Sequence, residues 1–246
     1  LTVPEVSALL DLSGWTDTGT LSIPDRRIVN PATQATAGRK PTMGTAANGR
    51  ATATFVAASP SQLSLPMHAA LNGTSEWGVA FWIKVNTYLS LRYVLNVGGG
   101  AATYDNSKVE IAIHSNRSAL VSFFGQDTNG YNGRRGTTAG NALPVAGTWF
   151  SLRAQFIGGL GTELLRHKLF VNGADSGLTY LNEGSGGTPV LLRTNAANVP
   201  IVIGNYVNTA DATYATDLML GSYIWFFNKT PNADAANRML EAVKPT

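Results

Sequence analysis

An all-β sandwich of two antiparallel sheets with a short C-terminal helix is the fold class this sequence predicts, on three observations. Apolar residues alternate with polar ones in short runs along the chain, and Gly, Pro and Asn mark the breaks between them. The segment 148–173, TWFSLRAQFIGGLGTELLRHKLFVNG, holds two such runs joined by a glycine-rich turn and ended by Asn172-Gly173, the pattern of two long antiparallel strands. A helical stripe of Ala236, Met239, Leu240 and Val243 closes the chain, behind a Thr230 cap and a Pro231 first position.

Taken in order, residues 6–13 read VSALLDLS, and a Gly/Thr/Pro-rich passage then leads into a run of Ala, Thr, Gly and Pro over 30–48. Turn formers at that density predict an extended arm over 1–50, packed on the sandwich or on a neighbour, with the sandwich domain over 51–246. Short edge strands are expected at 52–57 and 63–65, since Pro60 and Pro66 stand at their ends, where a missing N–H does least harm. At 77–85, Trp77, Val79, Phe81, Ile83 and Val85 share one face and Gly78, Ala80, Trp82 and Lys84 the other, as in a central strand. Strands follow at 91–97, 108–114 and 119–124. The stretch 126–141, QDTNGYNGRRGTTAGN, is polar and glycine-rich and predicts a long loop. In the hairpin, Trp149, Ser151, Arg153, Gln155 and Ile157 alternate with Phe150, Leu152, Ala154 and Phe156, which predicts a half-buried strand. Strands at 189–192, 201–204 and 218–227 complete the sheets, the last with both faces covered.

This order of parts resembles a known superfamily. A Trp-led strand, a glycine-rich turn, a strand ending in Phe170-Val171-Asn172-Gly173, a later Ile203-Gly204 and an aromatic strand are similar to the concanavalin A-like lectin/glucanase superfamily, in its laminin G-like and pentraxin-like branches. Its bacterial and phage members open with a segment like Leu9-Leu10-Asp11-Leu12-Ser13, followed by Arg-x-Pro, Asn-Gly and a strand ending in Phe. Arg39, Pro41, Asn48-Gly49 and Phe55 match that layout, which extends the resemblance over nearly the whole chain; the usual Trp is missing from the opening. The resemblance implies a jelly-roll sandwich.

Composition excludes several classes. Charged residues make up 13% of the 246, the net charge is +3, and basic residues cluster no further than the pairs Arg26-Arg27, Arg39-Lys40 and Arg134-Arg135. Phosphate neutralisation needs more concentrated positive charge, so no nucleic-acid partner is expected. No apolar run approaches the roughly 20 residues that span a bilayer, so no membrane insertion is expected and the chain reads as soluble. With no cysteine, disulfides, thiolate metal sites and a cysteine nucleophile are excluded.

Three chemistries remain. Glycoside cleavage needs two carboxylates about 5 to 9.5 Å apart, and the superfamily's glucanases place theirs as alternating acids on one strand. Here 108–114 carries Glu110 alone, and Glu163 and Asp217 stand apart, so no catalytic residue is assigned and the chain is expected not to be an enzyme. His68, His114 and His167 lack zinc spacing, and no Gly-x-Ser-x-Gly nucleophile elbow occurs. Calcium is the cofactor the resemblance raises, with Asp105 and Asn106, or Asp211 and Asp217 near Asn205 and Asn208, as its candidates. None of these forms a calcium loop by spacing, and Asx turns account for them, so no cofactor or metal is expected. Sugar binding needs an aromatic platform beside amides and charged groups. Asn129, Tyr131, Asn132, Arg134 and Arg135 supply these on one segment, and Tyr206, Asn208 and Tyr214 on another. The strand residues Trp77, Trp82, Trp149 and Trp225 are expected in the core.

A chain low in charge, rich in Ala, Thr, Gly and Asn, without cysteine and opening with a long arm resembles phage virion proteins that carry this sandwich on a capsid or tail, and the resemblance implies a non-enzymatic virion surface protein, decorating a capsid or tail or adhering to host glycans. Its expected partners are other virion proteins, itself as a homo-oligomer, and surface glycans. The alternatives are an extracellular carbohydrate-binding module of a secreted bacterial protein and, third, a degenerate glycoside hydrolase.

Overall fold

The computed structural model describes residues 6–26, 31–66, 71–97, 109–127, 130–184, 192, 200–206 and 213–246; at 6, 7, 126, 127, 130–132, 163, 164 and 182–184 the description is of the backbone. Strands in chain order are β1 Val6–Asp11, β2 Thr16–Asp17, β3 Leu21–Ile23, β4 Ala32–Gln34, β5 Thr42–Thr45, β6 Ala51–Phe55, β7 Leu63–Leu65, β8 Glu76–Val85, β9 Arg92–Val97 and β10 Val109–Ile113. They continue with β11 Ala119–Asp127, β12 Gly130–Thr137, β13 Trp149–Ile157, β14 His167–Val171, β15 Ala174–Asp175, β16 Thr179–Gly184, β17 Ile201–Ile203 and β18 Leu218–Phe227. The helices are the single turn α1 Glu163–Arg166 and the C-terminal α2 Ala233–Ala242.

The strands form two antiparallel sheets packed as a jelly-roll sandwich. One runs β15-β14-β13-β8-β18-β6-β5, with β1 on the half of β18 that β6 leaves free; the other runs β16-β12-β11-β10-β9-β17-β7-β4-β3-β2. Strand alternation fills the space between them. Trp77, Val79, Phe81, Ile83 and Val85 of β8 meet Val109, Ile111, Val121 and Phe123 of the facing sheet in one buried core. Phe123 stacks on Phe156 with centroids 5.5 Å apart, and Trp77 meets Phe123 and Phe226 edge-on at 6.3 and 6.4 Å. Offset and edge contacts of this kind are the favoured aromatic geometries.

Four expectations are corrected. The stretch 126–141 is not a loop: β12 pairs with β11 from Gly130↔Asp127 to Thr137↔Leu120, and with β16 on its other side. Phe124 and Leu178 explain why so polar a sequence is a strand. A Cβ on Gly133 would lie 2.4 Å from the Phe124 ring, and one on Gly136 2.8 Å from Leu178, so the glycines are the space those side chains fill. Strand β13 is covered on both sides, with Ser151, Arg153 and Gln155 buried as well as the apolar positions. Asn232, not Thr230, caps α2, its side chain accepting from the Asp234 N–H at 2.9 Å. Last, where the sequence predicts an arm over 1–50, the described residues supply β1 and β5 to one sheet and β2, β3 and β4 to the other. Asp25 and Arg26 tie β1 down, Asp25 accepting from the Leu9 N–H at 2.9 Å and Arg26 pairing with Asp11 at 2.8 Å. Of the strand expected at 189–192, only Leu192 lies within the described residues, bridged to Gly125.

Candidate functional site

Each sheet has an outer face, and the two differ in chemistry. On the ten-stranded sheet, Val109, Ile111 and Ile113 point into the core, so Glu110 and Ala112 point out. Register then aligns a row across that face, Val202, Asn96, Glu110, Ser122, Arg135 and Leu181. Asn96, Glu110 and Ser122 are fully buried. One step along the strands, Tyr93, Ala112 and Leu120 form a small apolar cluster with Tyr206 and Tyr214, whose rings lie 4.6 to 5.8 Å from one another and from Tyr93. His114, at the end of β10, has its pKa held below the usual imidazole value by burial and then by the Arg135 charge.

On the eight-stranded sheet, α2 lies across the outer face. Its Met239 and Leu240 pack on Ala80, Trp82, Trp225 and Phe227, and the Trp82 indole donates to the Leu240 carbonyl at 2.6 Å. Between α2 and the β14–β15 turn lies a cavity of about 250 Å³, lined by Trp82, Trp149, Ser151, Asn172, Asn237, Glu241 and Lys244 among others. Lys84 sits over the Trp149 ring at 5.3 Å and Lys244 over Trp82 at 5.5 Å. Asn172 holds a left-handed φ of 51° and accepts from the Ser151 N–H at 3.1 Å. Gly173 follows with φ 80°, and a Cβ there would meet the Asn237 amide at 3.0 Å, so glycine is what lets α2 approach the turn. The Asn237 Oδ1 accepts no hydrogen bond from the described residues. Two positions along β13 from Ser151, on the same face, Arg153 is 2% exposed, lies 3.7 Å over the Phe170 ring and donates to Gln155 at 2.7 Å. Burial lowers its pKa, against the pull of Asp175.

The residues expected to bind ligand fall into separate places. Register puts Arg134 on the side of β12 that carries Phe123 and Arg135 on the other, beside Ser122, so the two arginines do not face one ligand together. Tyr131 and Asn132 belong to β12, paired with Gln126 and Gly125 through the backbone. Tyr206 and Tyr214 do meet, in the cluster with Tyr93. Asn129 and Asn208 lie outside the described residues, as do the calcium candidates Asp105, Asn106 and Asp211. Asn205 is buried and spends its Oδ1 on the Tyr206 N–H, while Asp217 accepts from Asn86. Among the described residues no three acidic or histidine side chains are placed to hold a metal ion, and no helix is long and apolar enough to cross a membrane. The cavity residues Trp149, Asn172 and Asn237 escaped the sequence reading. Asn172-Gly173 was visible there as a turn, but its meeting with α2, about 65 positions later in the chain, leaves no local signal.

No protein-family model matches the chain, and no curated protein matches it. Solved structures share its fold. The binding domain of Paraclostridial Mosquitocidal Protein 1 superposes with a TM-score of 0.61 at 13% identity, over 96% of this chain and 51% of that one. Trypanosoma rangeli sialidase gives 0.60 at 10%, over 96% and 32%. Botulinum neurotoxin type C, whose cell entry is dependent upon interaction with two ganglioside molecules, gives 0.57 at 12%, over 96% and 51%. The chain thus spans about half of two of these structures and a third of the other, and at such identities what it shares with them is the β-sandwich fold.

Proposed function

We propose that this chain is a non-enzymatic, concanavalin A-like binding module that takes a glycan in the cavity between α2 and the β14–β15 turn, and that it works at an outer surface. The cavity carries this reading. It combines the half-buried Trp149 indole, with Trp82 nearly buried beneath it, amides (Asn172, Asn237), a hydroxyl (Ser151) and two charged groups (Glu241, Lys244) in a space below the roughly 300 Å³ at which pockets for larger ligands begin. Apolar ring faces with a few placed donors and acceptors suit one pyranose unit, whose own faces are apolar and whose rim is hydroxylated. Support comes also from the neighbours, two of which are a binding domain and a toxin described with gangliosides. On the outward positions of β9 to β12, Glu110 is the one carboxylate among the described residues, and the lack of a second one beside it there favours binding over cleavage. The surface we propose is that of a virion, on the order of parts set out above, with a secreted bacterial protein as the second reading.

Glycan-array screening followed by calorimetry on Asn237→Ala and Lys244→Ala tests this. Binding that falls at least roughly tenfold, about 1.4 kcal/mol, in each variant with unchanged melting is the expected result. Binding untouched by both, or no binding at all, overturns it. Release of reducing ends by the wild type, abolished in Glu110→Gln, would replace it with a hydrolase.

A further inference from the structure

A second cavity, of about 610 Å³, lies on the other side of the β14–β15 turn and shares Asn172 with the first. Its walls are Arg117 from the β10–β11 turn, the segment 141–145, and Val171, Ala174, Asp175 and Ser176 around β15. The backbone here is unusual. Among the described residues, three non-glycine positions have a left-handed φ, namely Arg117 at 58°, Asn141 at 64° and Asn172 at 51°, and all three line this cavity. Asn adopts this conformation readily, as at 172 in an Asn-Gly turn, whereas at Arg117 it costs roughly 1 to 3 kcal/mol and persists because the surroundings impose it. The surroundings do so through side-chain and backbone hydrogen bonds. Arg117 reaches Asn141 Oδ1 with Nε at 3.1 Å and Nη2 at 2.8 Å, the Asn141 and Leu143 N–H groups donate to the carbonyls of Asn116 and Arg117, and the Tyr88 hydroxyl donates to Pro144 O at 2.7 Å. The rim is therefore preformed, with a polar wall (Arg117, Asn141, Asp175, Ser176) and an apolar shoulder in Val145, which is 61% exposed.

We infer that the two cavities are successive subsites for one chain-like ligand, an oligosaccharide that crosses the Asn172-Gly173 turn, rather than a pocket for a single terminal sugar. The inference rests on the glycan reading above. Three observations carry it: the shared residue Asn172, the convergence of the left-handed positions, and a volume within the roughly 300 to 1,000 Å³ of pockets for larger ligands, where the first cavity falls below it.

The test is calorimetry with monosaccharides and with the corresponding oligosaccharides from β-glucan, chitin and alginate, on the wild type, Arg117→Gly and Val145→Asp. Glycine suits the backbone at 117, and position 145 is exposed, so both variants are expected to melt as the wild type does. Expected is an affinity gain of at least roughly tenfold from one unit to several in the wild type, lost in both variants while monosaccharide affinity stays unchanged. Equal affinity for short and long ligands, or a gain that survives both substitutions, overturns the inference and leaves the single-pocket reading standing. Failure of every glycan to bind removes that reading too.

Discussion

The two outer faces of this sandwich are closed by different physics. Over the eight-stranded sheet, α2 adds a second apolar cluster of Trp82, Trp225, Phe227, Met239 and Leu240, and burial of that surface adds to stability. Over the ten-stranded sheet, Asn96, Glu110 and Ser122 are buried beside a tyrosine cluster, and buried polar groups offset their desolvation only when they find partners. Asn96 and Glu110 are partnered within the protein, while the Ser122 hydroxyl has no hydrogen-bond partner among the described residues. The apolar lid is thus the stabilising one, and the cavity lies where α2 meets the turn at Asn172-Gly173.

The largest effect expected from this contrast is at Trp82. It is 4% exposed, fills the space under α2 and holds the Leu240 carbonyl. Truncating a buried aromatic typically costs about 3 to 5 kcal/mol, much of a domain's total stability. Trp82→Ala should lower the melting temperature sharply and expose α2 to hydrogen exchange. A normal melt would show that α2 does not close this face.

Next is Gly133, which tests how the ten-stranded face is packed. Its missing side chain is occupied by the Phe124 ring, so Gly133→Ala forces a displacement and should cost about 1 to 3 kcal/mol by overpacking. Denaturant unfolding measures it. A neutral result would mean that Phe124 swings away freely and that the β11–β12 hairpin is loosely built.

The same glycine shows where the sequence was legible and where it was not. Strand β8 was readable because its two faces alternate Trp, Val, Phe, Ile and Val against Gly, Ala, Trp and Lys, and burial on both sides leaves that signal intact. Strand β12 was not, since its contribution is vacant volume for Phe124 and Leu178, and vacancy has no hydrophobic period. The β13 alternation was legible as a strand but not as a covered one, because Ser151, Arg153 and Gln155 look solvent-facing until Phe170 and the C-terminal segment are placed over them. The cavity was hidden for the same reason. Trp149 reads as a core residue in β13, and only α2 turns it into a wall.

The smallest effect distinguishes the two faces by pH. His114 lies on the polar one, and its pKa is depressed, first by burial and second by Arg135. A depressed histidine favours the neutral form when folded, whereas the unfolded chain takes up the proton near pH 6.5. The unfolded state therefore binds more protons as the pH falls, so the His114 contribution is present above pH 6.5 and is lost as the pH falls through the folded value. Melting temperature followed between neutral and mildly acidic pH should drop less for His114→Gln than for the wild type. Arg135→Gln should lie between them, because it removes the smaller cause and leaves the burial. If the three profiles run parallel, His114 titrates alike in the folded and unfolded chains, and the polar face is open enough to water to hydrate an imidazolium.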